Sequence, residues 1–472
     1  MTASSTPSAD FSSLPLSAAM QETLRSLGYL AMTPIQAASL PLTLAGQDLI
    51  AQAKTGSGKT AAFALPLLHR LDSRELSVQA MVLCPTRELA DQVCQEIRRL
   101  ARLEANIKVL TLCGGSPIRP QAESLAFGAH IVVGTPGRIM DHLERDNLDL
   151  SQLRTLVLDE ADRMLDMGFH DDIVKVARQC PKDRQTLLFS ATYPEGIAQL
   201  SKQFLRNPKE VKVASTHDAA KIRQHWFQVD DSTRLDAVTQ LLWHFRPANA
   251  IAFCNTKQQC RDLVDVLTAH GIEALALHGD LEQRDRDQVL IQFANRSATV
   301  LVATDVAARG LDIAQLEAVI NVDVTPDAEV HIHRIGRTGR GDAEGLALNL
   351  ASMDEMGRVG KIEQLQGRES QWTPLDSLHA SGTEPLHAPM VTIQILGGRK
   401  EKIRPGDVLG ALTGAAGFEG KQIGKINVTD FHTYVAVDRD IGRQAVAKLN
   451  TLPLKGKKVK ARLLMDLRQD ER

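Results

Sequence analysis

Two parallel α/β sheets in tandem, followed by a small α+β module, are what this 472-residue chain predicts. Three observations carry that reading. Short runs of Val, Ile, Leu and Ala alternate with helical stretches such as Thr86–Ala101 and Cys260–His270, as parallel sheets with crossover helices require. The runs are apolar throughout rather than at every second position, which suits strands covered on both faces. After residue 390 the pattern becomes strand-helix-strand-strand-helix-strand.

The strand runs are Asp48–Ala51, Ala80–Cys84, His130–Val133, Thr155–Leu158, Thr186–Phe189, Ala250–Phe253, Ala274–Leu277, Val300–Ala303 and Val319–Val322. Behind them come Pro-Thr-Arg-Glu-Leu, Thr-Pro-Gly-Arg, Asp-Glu-Ala-Asp, Ser-Ala-Thr, Asn-Thr-Lys and Thr-Asp-Val. Polar clusters just past strand C-termini are where open α/β sheets build their sites. The pattern occurs before and again after about residue 215, so two similar domains are expected. Asn207–Arg223 and Gln366–Pro389 read as linkers, the second rich in Ser, Gly, Pro and His. The expected division is 1–212, a linker at 213–222, 223–365, a linker at 366–389, and a last module at 390–464. That module would have strands Val391–Leu396, Ile423–Val428, Thr433–Val437 and Lys458–Leu464, with helices Pro405–Leu412 and Ile441–Leu449. This is the ferredoxin-like order of an RNA-recognition fold.

Composition narrows the class. With 43% hydrophobic and 24% charged residues the chain can fill packed cores. No apolar run reaches the ~20 residues of a membrane span. Met1–Asp10 lacks the basic-then-apolar order of a signal peptide. Cys84, Cys94, Cys113, Cys180, Cys254 and Cys260 form no C-x-x-C pair and read as reduced, buried thiols of a cytoplasmic protein. The net charge of −2 hides an asymmetry: residues 390–472 carry 16 Lys/Arg against 9 Asp/Glu, a net of +7, and the rest nets −9. A basic module on an acidic body points to nucleic acid, although a solvated basic face has the same composition.

Ala53-Lys-Thr-Gly-Ser-Gly-Lys59-Thr60 follows an apolar run and opens a helix. It reads as a phosphate-binding loop, whose glycines let backbone N–H groups close on phosphates. Lys59 would reach the β/γ-phosphates and Thr60 would bind Mg²⁺. The first position is Ala53 where the strict motif has Gly, so a plain Gly-rich turn is the competing reading. Asp159-Glu160-Ala161-Asp162 ends the run Thr155–Leu158. Asp159 is placed to hold Mg²⁺, and Glu160 to orient or deprotonate the attacking water. Taken alone it is equally an acidic helix cap; with a phosphate loop about 100 residues upstream, catalysis is the better reading. Gly336-Arg337-Thr338-Gly339-Arg340 offers two arginines on a loop, either arginine fingers or a solvated basic turn.

In order and spacing these residues resemble the DEAD-box RNA helicase family, from Phe11 to about residue 365. The resemblance also covers Gly28-Tyr29, Thr33-Pro34-Ile35-Gln36, Gly114-Gly115, Gln283 with Arg286, Thr304-Asp305 and Arg309-Gly310-Leu311-Asp312. It implies two RecA-like domains that hydrolyse ATP with Mg²⁺ and locally unwind RNA, with no preference for DNA and no membrane. It implies that Gln36 hydrogen-bonds adenine while Tyr29 stacks on it. Thr55, Gly56, Ser57, Gly58, Lys59, Thr60 and Asp312 hold the nucleotide, with Thr60 and Asp159 on the metal. Ser190 and Thr192 couple hydrolysis to domain motion. Arg87, Gly115, Arg138 and Thr304 grip the RNA backbone, a sequence-blind contact. Gly341 departs from the aromatic that some members carry after Arg340. An intact set of Lys59, Glu160 and Arg340 argues against a non-enzymatic RNA clamp, and Gln36 against a DNA translocase.

The C-terminal module resembles the RNA-binding domain of DbpA-type bacterial helicases, through Gly398–Gly414, Ile423–Ile426, Tyr434–Val437 and Lys460–Leu464. That implies 23S ribosomal RNA in pre-50S particles as the target and ribosome biogenesis as the process. Val391–Leu396 holds no aromatic and Thr433–Val437 only Tyr434. Contact is therefore expected from a basic surface that includes Arg399, Lys400, Lys402, Arg404 and Lys425, rather than from stacking on the sheet.

Overall fold

The computed structural model describes residues 10–53, 56–104, 106–193, 195–213, 222–308, 316–339, 344–382 and 385–464. Seven strands make the first sheet: β1 Leu49–Gln52, β2 Ala80–Leu83, β3 Val109–Leu112, β4 Ile131–Gly134, β5 Thr155–Leu158, β6 Gln185–Ser190 and β7 Lys209–Lys212. All are parallel, in the order β3-β4-β2-β5-β6-β1-β7. Helices cover both faces, which is why β2, β4, β5 and β6 are buried at every residue. The helix Arg87–Leu100 shows the local logic. Thr86 Oγ1 accepts from Leu89 N at 3.3 Å and starts it. Leu89, Ala90, Val93, Cys94, Ile97 and Leu100 then recur at helical spacing and are buried.

The second sheet is β8 Ile222–Gln228, β9 Ala250–Cys254, β10 Ala274–Leu277, β11 Val300–Thr304, β12 Ala318–Asn321 and β13 Gly345–Ala351. It too is parallel, in the order β10-β11-β9-β12-β13-β8. The third is antiparallel: β14 Met390–Leu396, β15 Ile423–Val428, β16 His432–Asp438 and β17 Lys460–Leu463, ordered β15-β16-β14-β17. Its helices, Pro405–Gly410 and Gly442–Thr451, pack on one face over Ile393, Ile395, Val435 and Val437. The first helix ends before Leu412, running into a π-type turn over Ala411–Ala415. Two α/β parallel-sheet domains and an α+β module are thus present, as expected.

Four strands escape a search for apolar runs: β3, β7, β8 and β13. β7 reads Lys-Glu-Val-Lys and lies at the sheet edge, where nothing demands apolar residues. It occupies part of the stretch Asn207–Arg223 that reads as linker; residues 214–221 of that stretch lie outside the described set.

The described residues of Gln366–Pro389, 366–382 and 385–389, form a packed strap rather than a free tether. Trp226 N donates to Gln371 O at 2.9 Å and Thr373 N to Trp226 O at 2.8 Å. Leu375, Leu378 and Leu386 pack against the core of the second sheet. The strap delivers the C-terminal module onto that domain. Arg439 Nη2 pairs with Glu273 Oε2 at 2.5 Å, and Met390 N donates to Arg296 O at 3.3 Å. Asn295 Nδ2 and Ser297 Oγ both bond Thr392 Oγ1, at 3.2 and 2.8 Å. Thr392 lies on the module's sheet face away from its helices, as do Gln394, Tyr434 and Ala436, and all four are buried. The sheet face is seated on the second domain.

Candidate nucleotide and RNA sites

Three neighbouring strands, β5, β6 and β1, deliver the candidate nucleotide residues at their C-terminal ends. Ala53 N donates to Ser190 O at 3.0 Å, joining the entry to the phosphate loop to the Ser190–Thr192 segment. Gly56 and Gly58 have φ of 81° and 91°, where a side chain is strained. A Cβ on Gly58 would also lie 2.6 Å from Gln36 Nε2. Gln36 is buried and bridges two elements: its Oε1 accepts from Thr33 N at 2.9 Å, and its Nε2 donates to Gly58 O at 3.1 Å. Gln36 therefore links the segment expected at adenine to the loop expected at phosphate. Tyr29 stands beside Phe11, ring edge to face at 6.0 Å, and its hydroxyl donates to Glu96 Oε1 at 2.5 Å.

The helix Lys59–His69 begins at the loop. Lys59 is buried, and its ammonium has no hydrogen-bond partner among the described residues. A buried ammonium without a hydrogen-bond acceptor is costly, and an anion at this end of the sheet would relieve it. Asp159 is buried, and burial pushes its carboxyl up to about 6, against the pull of Lys59 and with a push from Glu160. A cation beside it would offset that desolvation. Glu160 takes the left-handed backbone region, with φ 52°, and its Oε2 accepts from Arg163 Nη1 at 2.9 Å. Such strain in a non-glycine residue costs about 1–3 kcal/mol and gathers at functional sites.

Asp162 is the residue that sequence reasoning left without a role. Its Oδ2 accepts from Ala191 N at 3.2 Å, and from Thr192 N and Thr192 Oγ1, each at 2.9 Å. Ser190 Oγ accepts from Asp162 N at 3.3 Å. Burial alone would raise the Asp162 carboxyl, but the Thr192 bonds, Lys59 and Arg163 hold it below its ordinary range. One carboxylate thus ties the Asp159–Asp162 segment to Ser190–Thr192. Its position, fourth in a contiguous acidic motif, was the available signal.

The other half of the sheet, β3-β4-β2, gathers the candidate RNA residues. Arg87 lies over Gly114 and Gly115, where a Cβ on Gly115 would overlap its guanidinium. Arg138 Nη2 donates to Ser116 O at 3.0 Å, while its Nη1 is buried with no partner among the described residues. Arg87, Gly115 and Arg138 thus meet at one strand-end surface that offers cationic donors.

In the second domain Thr304 ends β11, and Arg337 follows the helix Ala328–Ile335 in a turn. Between them lies Arg334, another residue assigned no role from sequence. It bonds Asp305 Oδ1 and Oδ2 at 2.8 and 2.6 Å and Asp323 O at 2.8 Å. Its guanidinium sits 5.1 Å from the Phe253 ring centroid. Thr55, Arg340 and Asp312 lie outside the described residues. In the C-terminal module Arg399, Lys400, Lys402, Arg404 and Lys425 are all exposed. The first three share the loop after β14; Arg404 caps the following helix, and Lys425 lies on β15. All six cysteines are buried thiols. Among the described residues, no helix is long and apolar enough to cross a membrane.

Comparison with known proteins agrees with this geometry. Residues 33–200 match the DEAD/DEAH box helicase model, 233–342 the helicase conserved C-terminal domain, and 392–463 the DbpA RNA binding domain. The chain is 51% identical to the ATP-dependent RNA helicase DbpA of Escherichia coli over 442 residues, 93% of this chain and 96% of that one. It is 43% identical over 362 residues to the ATP-dependent RNA helicase CshA of Listeria monocytogenes, covering 76% and 69% of the two chains. The yeast Dbp5 structure bound to RNA and ADP BeF3 superposes with a TM-score of 0.72, at 31% identity, over 78% of this chain and 96% of that one. The chain belongs to the DEAD-box family of ATP-dependent RNA helicases and, within it, to the DbpA type, with that type's RNA-binding domain at its C-terminus.

Proposed function

We propose that this helicase acts on 23S ribosomal RNA in pre-50S particles in the cytoplasm, targeted by the module at 390–464, with residues 1–212 and 223–365 as the two helicase domains. The observation that carries the targeting is where the positive charge is concentrated. A net of +7 over residues 390–472 stands beside a core whose candidate RNA groups read only backbone.

Within the core, Lys59 and the loop Thr55–Thr60 take the ATP phosphates, and Tyr29 and Gln36 take the adenine. Asp312 holds the nucleotide from the second half of the chain. Thr60 and Asp159 are oxygen donors of the kind Mg²⁺ prefers, and the raised Asp159 carboxyl fits a neighbouring cation. Held there by Thr60 and Asp159, Mg²⁺ would supply positive charge against the phosphates. Glu160 prepares the attacking water. Asp162, through Ser190 and Thr192, carries the state of that site to the rest of the domain. Arg337 and Arg340 supply cations for the transition state; Arg87, Gly115, Arg138 and Thr304 hold the RNA backbone. In the module, Arg399, Lys400, Lys402, Arg404 and Lys425 face the ribosomal RNA.

Two experiments test this. Arg337→Ala should lower RNA-stimulated turnover by about 10³-fold or more while changing ATP affinity severalfold at most. A parallel fall in both would make Arg337 a binding residue only. Deleting residues 389–472 should leave an ATPase stimulated equally by a ribosomal fragment and by random RNA. Retained preference for the ribosomal fragment would remove the module from targeting.

A further inference from the structure

Where can this module hold an RNA base? The usual place for stacking in an RNA-recognition fold is the open sheet face. Here that face is taken. Thr392, Gln394 and Tyr434 are 0%, 1% and 4% exposed, and the second helicase domain reaches Thr392 through Asn295 and Ser297. Between residues 390 and 472 there are three aromatic side chains, Phe418, Phe431 and Tyr434. Tyr434 is buried, and Phe418 packs against the module's own core. Phe431 alone of the three offers its ring, at 57% exposed.

The ring is held on a built support. Phe431 ends the turn between β15 and β16, and the loop after β14 is bonded along that turn. Gly397 N donates to Phe431 O at 3.0 Å, Arg399 N to Thr429 O at 2.8 Å and Lys400 N to Asp430 O at 3.1 Å. Thr433 Oγ1 closes the join on Gly397 O at 2.8 Å. The two loops approach so closely that a Cβ on Gly398 would strike Thr429 O and Asp430 O. This register presents Lys400 to the ring, with Nζ 4.2 Å from the centroid. Arg399, its neighbour, meets Asp430 at 3.7 Å in an exposed pair of the kind that contributes little. Leu396 is exposed on the same loop junction.

We propose that Phe431 is the base-stacking platform of the C-terminal module, taking an unpaired RNA base with Lys400 and Arg399 as the cations for its flanking phosphates. Charge complementarity selects the occupant. An exposed ring flanked by Lys and Arg suits a stacked base on a polyanion. The proposal deepens the reading of the module as the ribosomal RNA contact and rests on it.

The test uses the full chain with two transcripts of equal length, one of 23S ribosomal RNA and one of random sequence, both carrying 5-iodouridine. After irradiation and trypsin, the crosslinked uridine should map to Phe431 in the peptide Ile426–Arg439. Phe431→Ala should abolish that crosslink and weaken binding of the ribosomal transcript by about five- to a hundredfold. Phe431→Trp should restore the affinity. The salt dependence should be the same in all three proteins, since no charge changes. Crosslinks elsewhere in the module but none at Phe431 would overturn the proposal, as would an Ala variant that binds within twofold of the parent. Equal crosslinking of Phe431 by both transcripts would leave the platform standing and remove the ribosomal preference.

Discussion

Glu160→Gln should leave ATP binding within about threefold of the parent and slow hydrolysis by roughly 10²–10⁴-fold, the usual contribution of a positioned general base. The substitution is chosen for what it preserves. Glutamine has the same shape, and its amide oxygen can still accept from Arg163 Nη1, now at 2.9 Å from Glu160 Oε2. The left-handed backbone at Glu160 is equally strained for either side chain. The capacity to take a proton from water is lost. Glu160 also forms a buried ion pair with Arg163, so a purely structural role is the competing account. Under that account the glutamine variant hydrolyses ATP almost as fast as the parent, while Arg163→Met is the damaging change. Single-turnover hydrolysis with saturating RNA separates the two: a parent-like rate for Glu160→Gln removes Glu160 as the group that activates water.

The candidate chemistry is legible in the sequence because it lies in short contiguous strings behind strand ends. Ala53–Thr60 and Asp159–Asp162 each place several functional groups by local backbone alone, so neither needs a tertiary contact to be noticed. What stayed hidden depends on contacts distant in sequence. Asp162 is the fourth letter of a motif until its carboxylate is seen to accept three bonds from Ala191 and Thr192. The strand Lys209–Lys212 is polar because it is an edge, and edge position is decided by the whole sheet. The absence of aromatics on β14 argued against sheet stacking. A stronger reason is that Thr392 and Tyr434 are buried on that face, where Asn295 and Ser297 of the second domain reach Thr392, which no pattern within the module encodes. The strap is the same lesson. Its composition is that of a linker, while Gln371, Thr373 and Leu386 are fixed by partners on strands and loops more than 100 residues away.

Arg334 depends most on such distant contacts, and replacing it should do the most damage outside the nucleotide site. Its guanidinium is buried. It reaches Asp305 with two bonds, Asp323 O with one, and Asn321 and Asn255 at 3.3 Å each. Those partners end or follow β9, β11 and β12, so one side chain holds three strand ends in register. Arg334→Met removes the cation and leaves the Asp305 carboxylate facing an apolar stem. Breaking a buried pair this way costs about 3–5 kcal/mol. Asp305 retains some solvent access, with its side chain 25% exposed, so the lower end, about 3 kcal/mol, is expected. Arg334→Lys keeps the charge and loses the planar fork. It should fold, with a loss of about 1–2 kcal/mol, roughly that of one or two charged hydrogen bonds. Its RNA-stimulated turnover should nevertheless fall at least about tenfold, because Thr304 adjoins Asp305 and Arg337 follows Arg334 by one helical turn. Global melting of a multidomain chain would blur the effect. Hydrogen exchange of β9, β11 and Ala328–Ile335 reads it locally. Parent-like protection there in the Met variant would show that the network contributes nothing to the domain. Parent-like turnover in the Lys variant would show that the fork does not position Thr304 and Arg337.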